Sequence, residues 1–314
     1  MTLNEALQIK ENKRLQAEAE AEKVTKELYA LYPEIELIDQ ELAAFGPALV
    51  SAAVGGRVDE VKQMEKDNLA LQDRRAAVLV RNGKKPDEDA PQYECAKCKD
   101  YGYTGNILCE CTKKLLSVHA LEASGLGKGL SGKTFDNFSM KYYTGEDRVN
   151  MEKVLEICRK YASQFSEESP SLLFLGKTGL GKTHLSAAIA GVVAAKGYSV
   201  VYESAQKLFD TYELSRFGKD PDSVERVGLY ENCDLLIVDD LGTECASPYT
   251  AANFFALLNL RLVNGKAILI NTNLKRPEIE KNYGERTLSR LFGDFKVLLF
   301  KGQDVREQKI KENV

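Results

Sequence analysis

LLFLGKTGLGKT, residues Leu172 to Thr183, is an apolar run that stops in a glycine-rich turn, and HLSAAIAGVVAAK follows it with the composition of a helix. The order is strand, loop, helix. The turn fits G-x-x-x-x-G-K-[ST] with Gly176, Gly181, Lys182 and Thr183 at the fixed positions; Thr178, Gly179 and Leu180 lie within it and His184 directly after. Glycine admits positive φ and close backbone approach, so successive N–H groups can wrap a triphosphate at a helix N-terminus. The pattern predicts that Lys182 reaches the β- and γ-phosphates of ATP and that Thr183 ligates Mg²⁺. A chance glycine turn is the alternative, and the complete motif in its strand-then-helix setting disfavours it.

The second informative run is LLIVDD, Leu235 to Asp240. Four buried-type residues ending in two carboxylates read as a central parallel strand whose C-terminal end faces a ligand crevice. Asp239 is expected to hold Mg²⁺ directly or through water, and Asp240 to polarise the attacking water.

The chain has 314 residues, enough for one large domain and a smaller one. Its net charge of −4 argues against non-specific coating of nucleic acid, although a local basic groove on an assembled oligomer remains compatible with it. No run approaches the roughly 18 to 20 apolar residues of a membrane span, and MTLNEALQIKENKR has no signal-peptide core, so the expectation is a soluble, cytoplasmic protein without membrane partners.

Residues 1 to about 82 are rich in Ala, Glu, Lys, Leu and Gln, with apolar positions three and four apart. That spacing predicts amphipathic helices, divided at Pro33 and at Phe45-Gly46-Pro47, with one helix from about Val58 to Arg81. The expectation is a small helical bundle or antiparallel coiled pair with a solvated charged face, and one helix face can also be a docking surface for another protein. RNGKKPDEDAP, from Arg81 to Pro91, reads as a linker.

Seven cysteines in such a chain do not suggest a disulfide framework, and four of them cluster: Cys95-x2-Cys98, ten residues, Cys109-x-Cys111. The first pair suits a tight knuckle and the second returns on a hairpin through the Gly102 and Gly105 turns, so the four sulfurs suit a structural Zn²⁺. The alternative is a group of free or redox-active thiols. His119 is left out of the metal set.

A helix from 112 to about 131, ending in GLGKGLSGK, leads to TFDNFSMKYYTGEDR, whose aromatics either pack the linker or wall an adenine pocket, and then to a helix from Arg148 to Phe165. From Ser171 strands alternate with helices: Leu172 to Leu175, Ser199 to Tyr202, Leu235 to Val238, Ala267 to Asn271 and Lys296 to Phe300. That alternation predicts an α/β domain with a mostly parallel sheet.

GKTGLGKTH, LLIVDDLGTE, AILINTNL, GERTLSRLF and GQDVR together make the stretch from Thr134 to Arg306 resemble the AAA+ ATPases, and more narrowly the bacterial replicative helicase loaders of the DnaC/DnaI type, which share their ATPase domain with IstB-like transposition helpers. The cysteine cluster and the basic helix after it resemble the zinc-bearing region of the DnaI-like branch. The resemblance implies a sensor strand inserted between the two motif strands. It implies that Asn273 is the sensor 1 residue, that Arg290 is an arginine finger acting in a neighbouring subunit's site with Arg286 as second choice, and that Arg306 is the sensor 2 arginine. It further implies ATP hydrolysis by a homo-oligomer formed with ATP bound, a hexameric replicative DNA helicase as partner, and single-stranded DNA as ligand. Many AAA+ proteins have Asp-Glu where this chain has Asp239-Asp240, which leaves Glu244 as a rival to Asp240. The sequence ends soon after Arg306, which implies a shortened C-terminal lid.

The expected organisation is a helical, partner-docking region at 1–90, a zinc-binding module and linker helix at 91–131, and an AAA+ ATPase domain at 132–314. Two other functions fit the same motifs: an IstB-like transposition helper, disfavoured by the long N-terminal part, and a nucleotide-gated adaptor that binds ATP without hydrolysing it, disfavoured by the paired carboxylates. A small-molecule P-loop kinase fits least, since no acceptor pocket is legible.

Overall fold

The structure, a computed structural model, describes residues 3–123, 130, 132–216 and 220–312. The chain divides into two compact units, one of Leu7–Cys109 and the other of Met1–Ala6 with Glu110–Val314.

The first unit is built on three helices, α1 (Leu3–Leu31), α2 (Pro33–Val54) and α3 (Val58–Arg81). Pro33 stands at the N-terminus of α2, where its missing N–H costs nothing, so the break expected there is present. The break expected at Phe45-Gly46-Pro47 is not. α2 runs through Pro47 to Val54 and keeps Ala52 fully buried beyond it. Interior proline costs about 3 kcal/mol, and packing along α3 offsets it: Phe45 and Leu49 share a groove with Met64 and Leu69 of α3. Leu28, Ile35, Ile38, Val78 and Leu79 form the small core of this unit. Arg75 of α3 pairs with Asp39 of α2 at 2.6 Å and with Asp89 at 2.5 Å, tying the linker to the two helices. The absence of any apolar run of membrane length also needs correction, because α2 is long and apolar enough, by length and composition alone, to cross a membrane. It carries Glu34, Glu36, Asp39 and Glu41, and Asp39 is engaged by Arg75.

A two-stranded hairpin follows, β1 (Tyr103–Thr104) antiparallel to β2 (Ile107–Leu108). Then come α4 (Glu110–Ala123), a 3₁₀ turn at Met140–Tyr142, and α5 (Gly145–Ser163). The glycine-rich connection expected after α4 lies largely outside the described residues.

The second unit alternates β3 (Ser171–Leu175), α6 (Lys182–Ala195), β4 (Val200–Ser204), α7 (Ala205–Arg216), α8 (Pro221–Asn232), β5 (Leu235–Leu241), α9 (Pro248–Val263), β6 (Ala267–Thr272), α10 (Arg276–Gly293), β7 (Phe295–Leu299) and α11 (Val305–Glu312). All five strands are parallel, in the order β4-β5-β6-β3-β7. β6 lies between the strand that feeds the phosphate loop and the strand that carries Asp239-Asp240, as the resemblance implies for the sensor strand. Side chains alternate across the sheet. Leu172, Phe174, Tyr202, Ile237 and Leu269 pack under α5 and α6, while Leu173, Leu236, Val238, Ile268 and Ile270 pack under α7, α9 and α10. Both faces are covered, which is why these strands read as unbroken apolar runs.

Candidate nucleotide site and cysteine cluster

The phosphate loop leaves the C-terminal end of β3 and enters α6 at Lys182, with Gly181 as N-cap at φ +84°. A Cβ on Gly181 would stand 2.7 Å from the Phe138 ring, and one on Gly179, also at positive φ, would collide with the Asp304 carboxylate. Only glycine fits either place. Thr178, Gly179, Leu180, Gly181, Lys182, Thr183 and His184 line a cavity of about 470 Å³, together with Asp240, Arg306 and Lys309. Phe138, Tyr142 and Tyr143 form another wall, so part of the aromatic segment reaches the cavity as well as packing the linker. The Tyr143 hydroxyl donates to the Leu180 carbonyl at 3.0 Å, and Phe138 meets the His184 ring edge-on. His184 Nε2 is 2.8 Å from the Thr134 carbonyl, and burial lowers its pKa.

Lys182 is buried and its Nζ donates to the carbonyls of Gly176 and Lys177 at 2.6 and 2.8 Å. Burial lowers its pKa, while Asp240 and Asp239 act to raise it. Gly176 is tied in turn to the sheet, donating its N–H to the Thr272 carbonyl at 3.3 Å. The loop mouth is closed by the connector after β7: Phe300 N–H donates to Leu175 O at 2.7 Å and Val305 N–H to Gly179 O at 3.0 Å. That lacing brings Arg306 to the phosphate end of the cavity.

β5 shifts register against β6 between Val238 and Leu241, a bulge that takes Asp239 and Asp240 out of the pairing with β6, while Asp239 still pairs with Ser204 of β4. Asp240 takes φ +55°, a backbone uncommon outside glycine, and lines the cavity. Burial first, then the neighbouring Asp239, raises its pKa, with Lys182 and Arg306 opposing. Asp239 lies behind it, buried, and accepts from the Thr183 hydroxyl at 3.1 Å. Glu244 belongs to a different cavity, beside Gln206 and Thr250, and accepts from Tyr283 and from Gly242 N–H.

Asn273 is exposed and shares a separate cavity with Lys177 and Thr178. The asparagine that touches Asp239 is Asn271, fully buried, whose Nδ2 donates to Asp239 Oδ1 at 2.6 Å. Sequence reasoning missed it, and the only signal was a polar residue inside the apolar strand AILINT. Arg290 does not join the cavity. It sits on α10 beyond the break at Gly284, half-exposed, and donates to Asn259 and Asp294, both at 3.2 Å. Arg286, one turn earlier, is exposed too.

Four sulfurs come together at the other candidate centre. The Sγ atoms of Cys95, Cys98, Cys109 and Cys111 lie within 4.8 Å of one another. The knuckle forms because Lys99 N–H donates to Cys95 O and Tyr101 N–H to Cys98 O, with Lys99 and Asp100 both at positive φ; Cys109 N–H then returns to Gly102 O. Asp100 is buried, accepts from Glu94 N–H at 2.7 Å and pairs with Lys10 at 3.2 Å. Four thiolates at that spacing fit a closed tetrahedral Zn²⁺, whose metal–sulfur bonds of about 2.3 Å put sulfurs a little under 4 Å apart. His119 is outside the cluster.

These features agree with comparisons to known proteins. Residues 123–312 match the family model of the IstB-like ATP binding protein. Replicative helicase loader DnaC of Buchnera aphidicola subsp. Acyrthosiphon pisum is 26% identical over 181 residues, covering 57% of this chain and 71% of that protein. DnaC of Escherichia coli strain K12 is 26% identical over 155 residues, 49% of this chain and 63% of that protein. The putative ATP-binding protein of insertion sequence IS232 from Bacillus thuringiensis subsp. berliner is 28% identical over 144 residues, 46% of this chain and 54% of its own length. Among solved structures, that of the DnaC helicase loader superposes with a TM-score of 0.49 at 22% identity, over 56% of this chain and all of that one. The family model spans more than half of the sequence, and the chain therefore belongs to the IstB-like ATP binding protein family, as an AAA+ protein of the DnaC type.

Proposed function

We propose that this protein is an ATPase that loads a replicative DNA helicase, working as an ATP-bound homo-oligomer on single-stranded DNA. The observation that carries the reading is the convergence of Lys182, Thr183, Asp240 and Arg306 on one cavity walled by aromatics, in a chain whose relatives include loaders named DnaC. In this reading the loop N–H groups and Lys182 bind the phosphates, and Thr183 with Asp239 holds Mg²⁺. The ion, when bound, draws charge from the β- and γ-phosphate oxygens. Asp240 takes a proton from the attacking water, and Arg306 neutralises the γ-phosphate from the α11 side. Asn273 orients the water, and Arg290, exposed on its own subunit, completes the site of a neighbour. The helical unit grips the helicase and the cysteine cluster holds Zn²⁺.

The test is ATP turnover by the full chain with and without single-stranded DNA, followed by co-purification with the hexameric replicative helicase. Stimulated turnover and a stable complex are expected; no turnover under any condition leaves the adaptor reading. A second reading, a transposition helper, is favoured by the IS232 relative, and capture of a transposase in place of the helicase would select it.

A further inference from the structure

The Asp239 carboxylate sits in a closed hydrogen-bonded ring that joins four elements. Tyr202 of β4 donates its hydroxyl to Oδ2 at 2.8 Å, and Asn271 of β6 donates Nδ2 to Oδ1 at 2.6 Å. The same Nδ2 reaches Ser186 Oγ, in the second turn of α6, at 2.8 Å, and Ser186 Oγ is 3.0 Å from the Tyr202 hydroxyl. All four side chains are buried.

The proton inventory gives the ring a direction. A carboxylate only accepts, so the Tyr202 proton points at Asp239 and the Asn271 amide turns its nitrogen, not its oxygen, toward it. Ser186 then accepts from Asn271, and its own proton is shared between Tyr202 and the Thr183 carbonyl, 3.2 Å away. Asn271 Oδ1 is buried without a partner among the described residues, so its two donations are what orient the amide. Thr183 and the Asp240 N–H also donate to Oδ1, both at 3.1 Å. The carboxylate plane is thus fixed from the side away from the cavity, with Thr183 on the open side.

We infer that Tyr202, with Ser186 and Asn271, is a positioning group that holds the Asp239 carboxylate in the orientation needed for Mg²⁺. The inference rests on the ATP and Mg²⁺ reading above. Loss of a partner behind a metal-holding side chain typically costs about 10–100-fold in metal affinity. Tyr202→Phe removes one oxygen and keeps the packed ring. Ser186→Ala breaks the circuit at a second point on a different element.

The experiment titrates Mg²⁺ into full-length protein with a fluorescent ATP analogue and measures the affinity of the analogue in EDTA in parallel. For Tyr202→Phe the Mg²⁺ midpoint should rise about tenfold or more, with affinity in EDTA unchanged. Ser186→Ala should shift it in the same direction, and Ser186→Thr, which restores the hydroxyl, should not. Affinity lost equally in Mg²⁺ and in EDTA means a merely structural role and overturns the inference, as does an unmoved midpoint in Tyr202→Phe and Ser186→Ala. If the wild-type protein binds the analogue without any Mg²⁺ dependence, the metal reading itself fails and takes the inference with it.

Discussion

Glu244 accepts a hydrogen bond from the Tyr283 hydroxyl, across the gap between the loop after β5 and α10. Its second oxygen takes the Gly242 N–H at 2.9 Å, so both are engaged away from the phosphate loop. Of the two carboxylates that compete in the sequence for the water-polarising role, Asp240 alone lines the nucleotide cavity.

The first prediction follows from that separation. Asp240→Asn should keep ATP affinity and lose turnover by about 10²-fold or more, while Glu244→Gln should stay near wild type. Burial and Asp239 raise the Asp240 pKa. With Asp240 as the proposed base its ionised form is the active one, so turnover should fall as pH drops through a value above that of an ordinary carboxylate. Steady-state rates across pH decide; full turnover in Asp240→Asn would return the role to Glu244.

Lys182→Ala should weaken ATP binding at least tenfold, since a charged hydrogen bond to phosphate contributes about 1.5–3 kcal/mol. The lysine serves loop and phosphates rather than the apolar core, so the variant should keep its cooperative unfolding. Nucleotide titration and thermal melting check the two halves, and unchanged affinity would remove the site assignment.

The cysteine cluster should hold one zinc per chain, measurable by elemental analysis after exhaustive dialysis. Chelation should unfold residues 92 to 115 and leave nucleotide binding intact, because the ion stands in for a core in so small a piece. Protein that carries no zinc, or loses nucleotide binding with it, contradicts this.

Arg290→Ala should bind ATP normally but lose most stimulated hydrolysis. Its own contacts are exposed pairs worth about 0–1 kcal/mol, so stability should hardly move. Mixed with Lys182→Ala, it offers an interface with one intact loop and one intact finger. Partial recovery of turnover places the finger in trans. A mixture that stays inactive while mixed oligomers form shifts the test to Arg286.

Arg261 has no carboxylate partner among the described residues. Fully buried, its guanidinium donates to the carbonyls of Tyr230, Cys233 and Ala267 at 2.7, 2.9 and 2.7 Å. Arg261→Met should cost about 3 kcal/mol or more, roughly 10 °C in Tm, by leaving those carbonyls unpaired. Calorimetry that finds less than a third of that loss would mean water replaces the guanidinium.

Local patterns made most of the fold legible: the apolar runs of β3, β5 and β6, buried on both faces, and a cysteine spacing that needs no tertiary information. What stayed hidden depends on distant partners. Nothing near Pro47 signals that α3 keeps α2 continuous across it. Tyr202 reads as an ordinary strand aromatic and Ser186 as a small helix residue until β4 and α6 are placed beside Asp239. The two asparagines of NTN are indistinguishable in sequence; the strand end buries Asn271 and releases Asn273.

Among the described residues, β3 pairs only with β6 and β7, strands that begin at Ala267 and Phe295. A growing polypeptide therefore carries the segment that leads into the phosphate loop, apolar and unpaired, from Leu175 until β6 has been made at Ala267–Thr272. Pairings of such long range form slowly and leave edges open to association. The hydrogen bonds from Phe300 to Leu175 and from Val305 to Gly179 come later still. Nucleotide affinity should thus arise late in the folding of this domain, once the residues around Arg306 have joined the cavity, which makes ATP itself a reporter of the completed sheet.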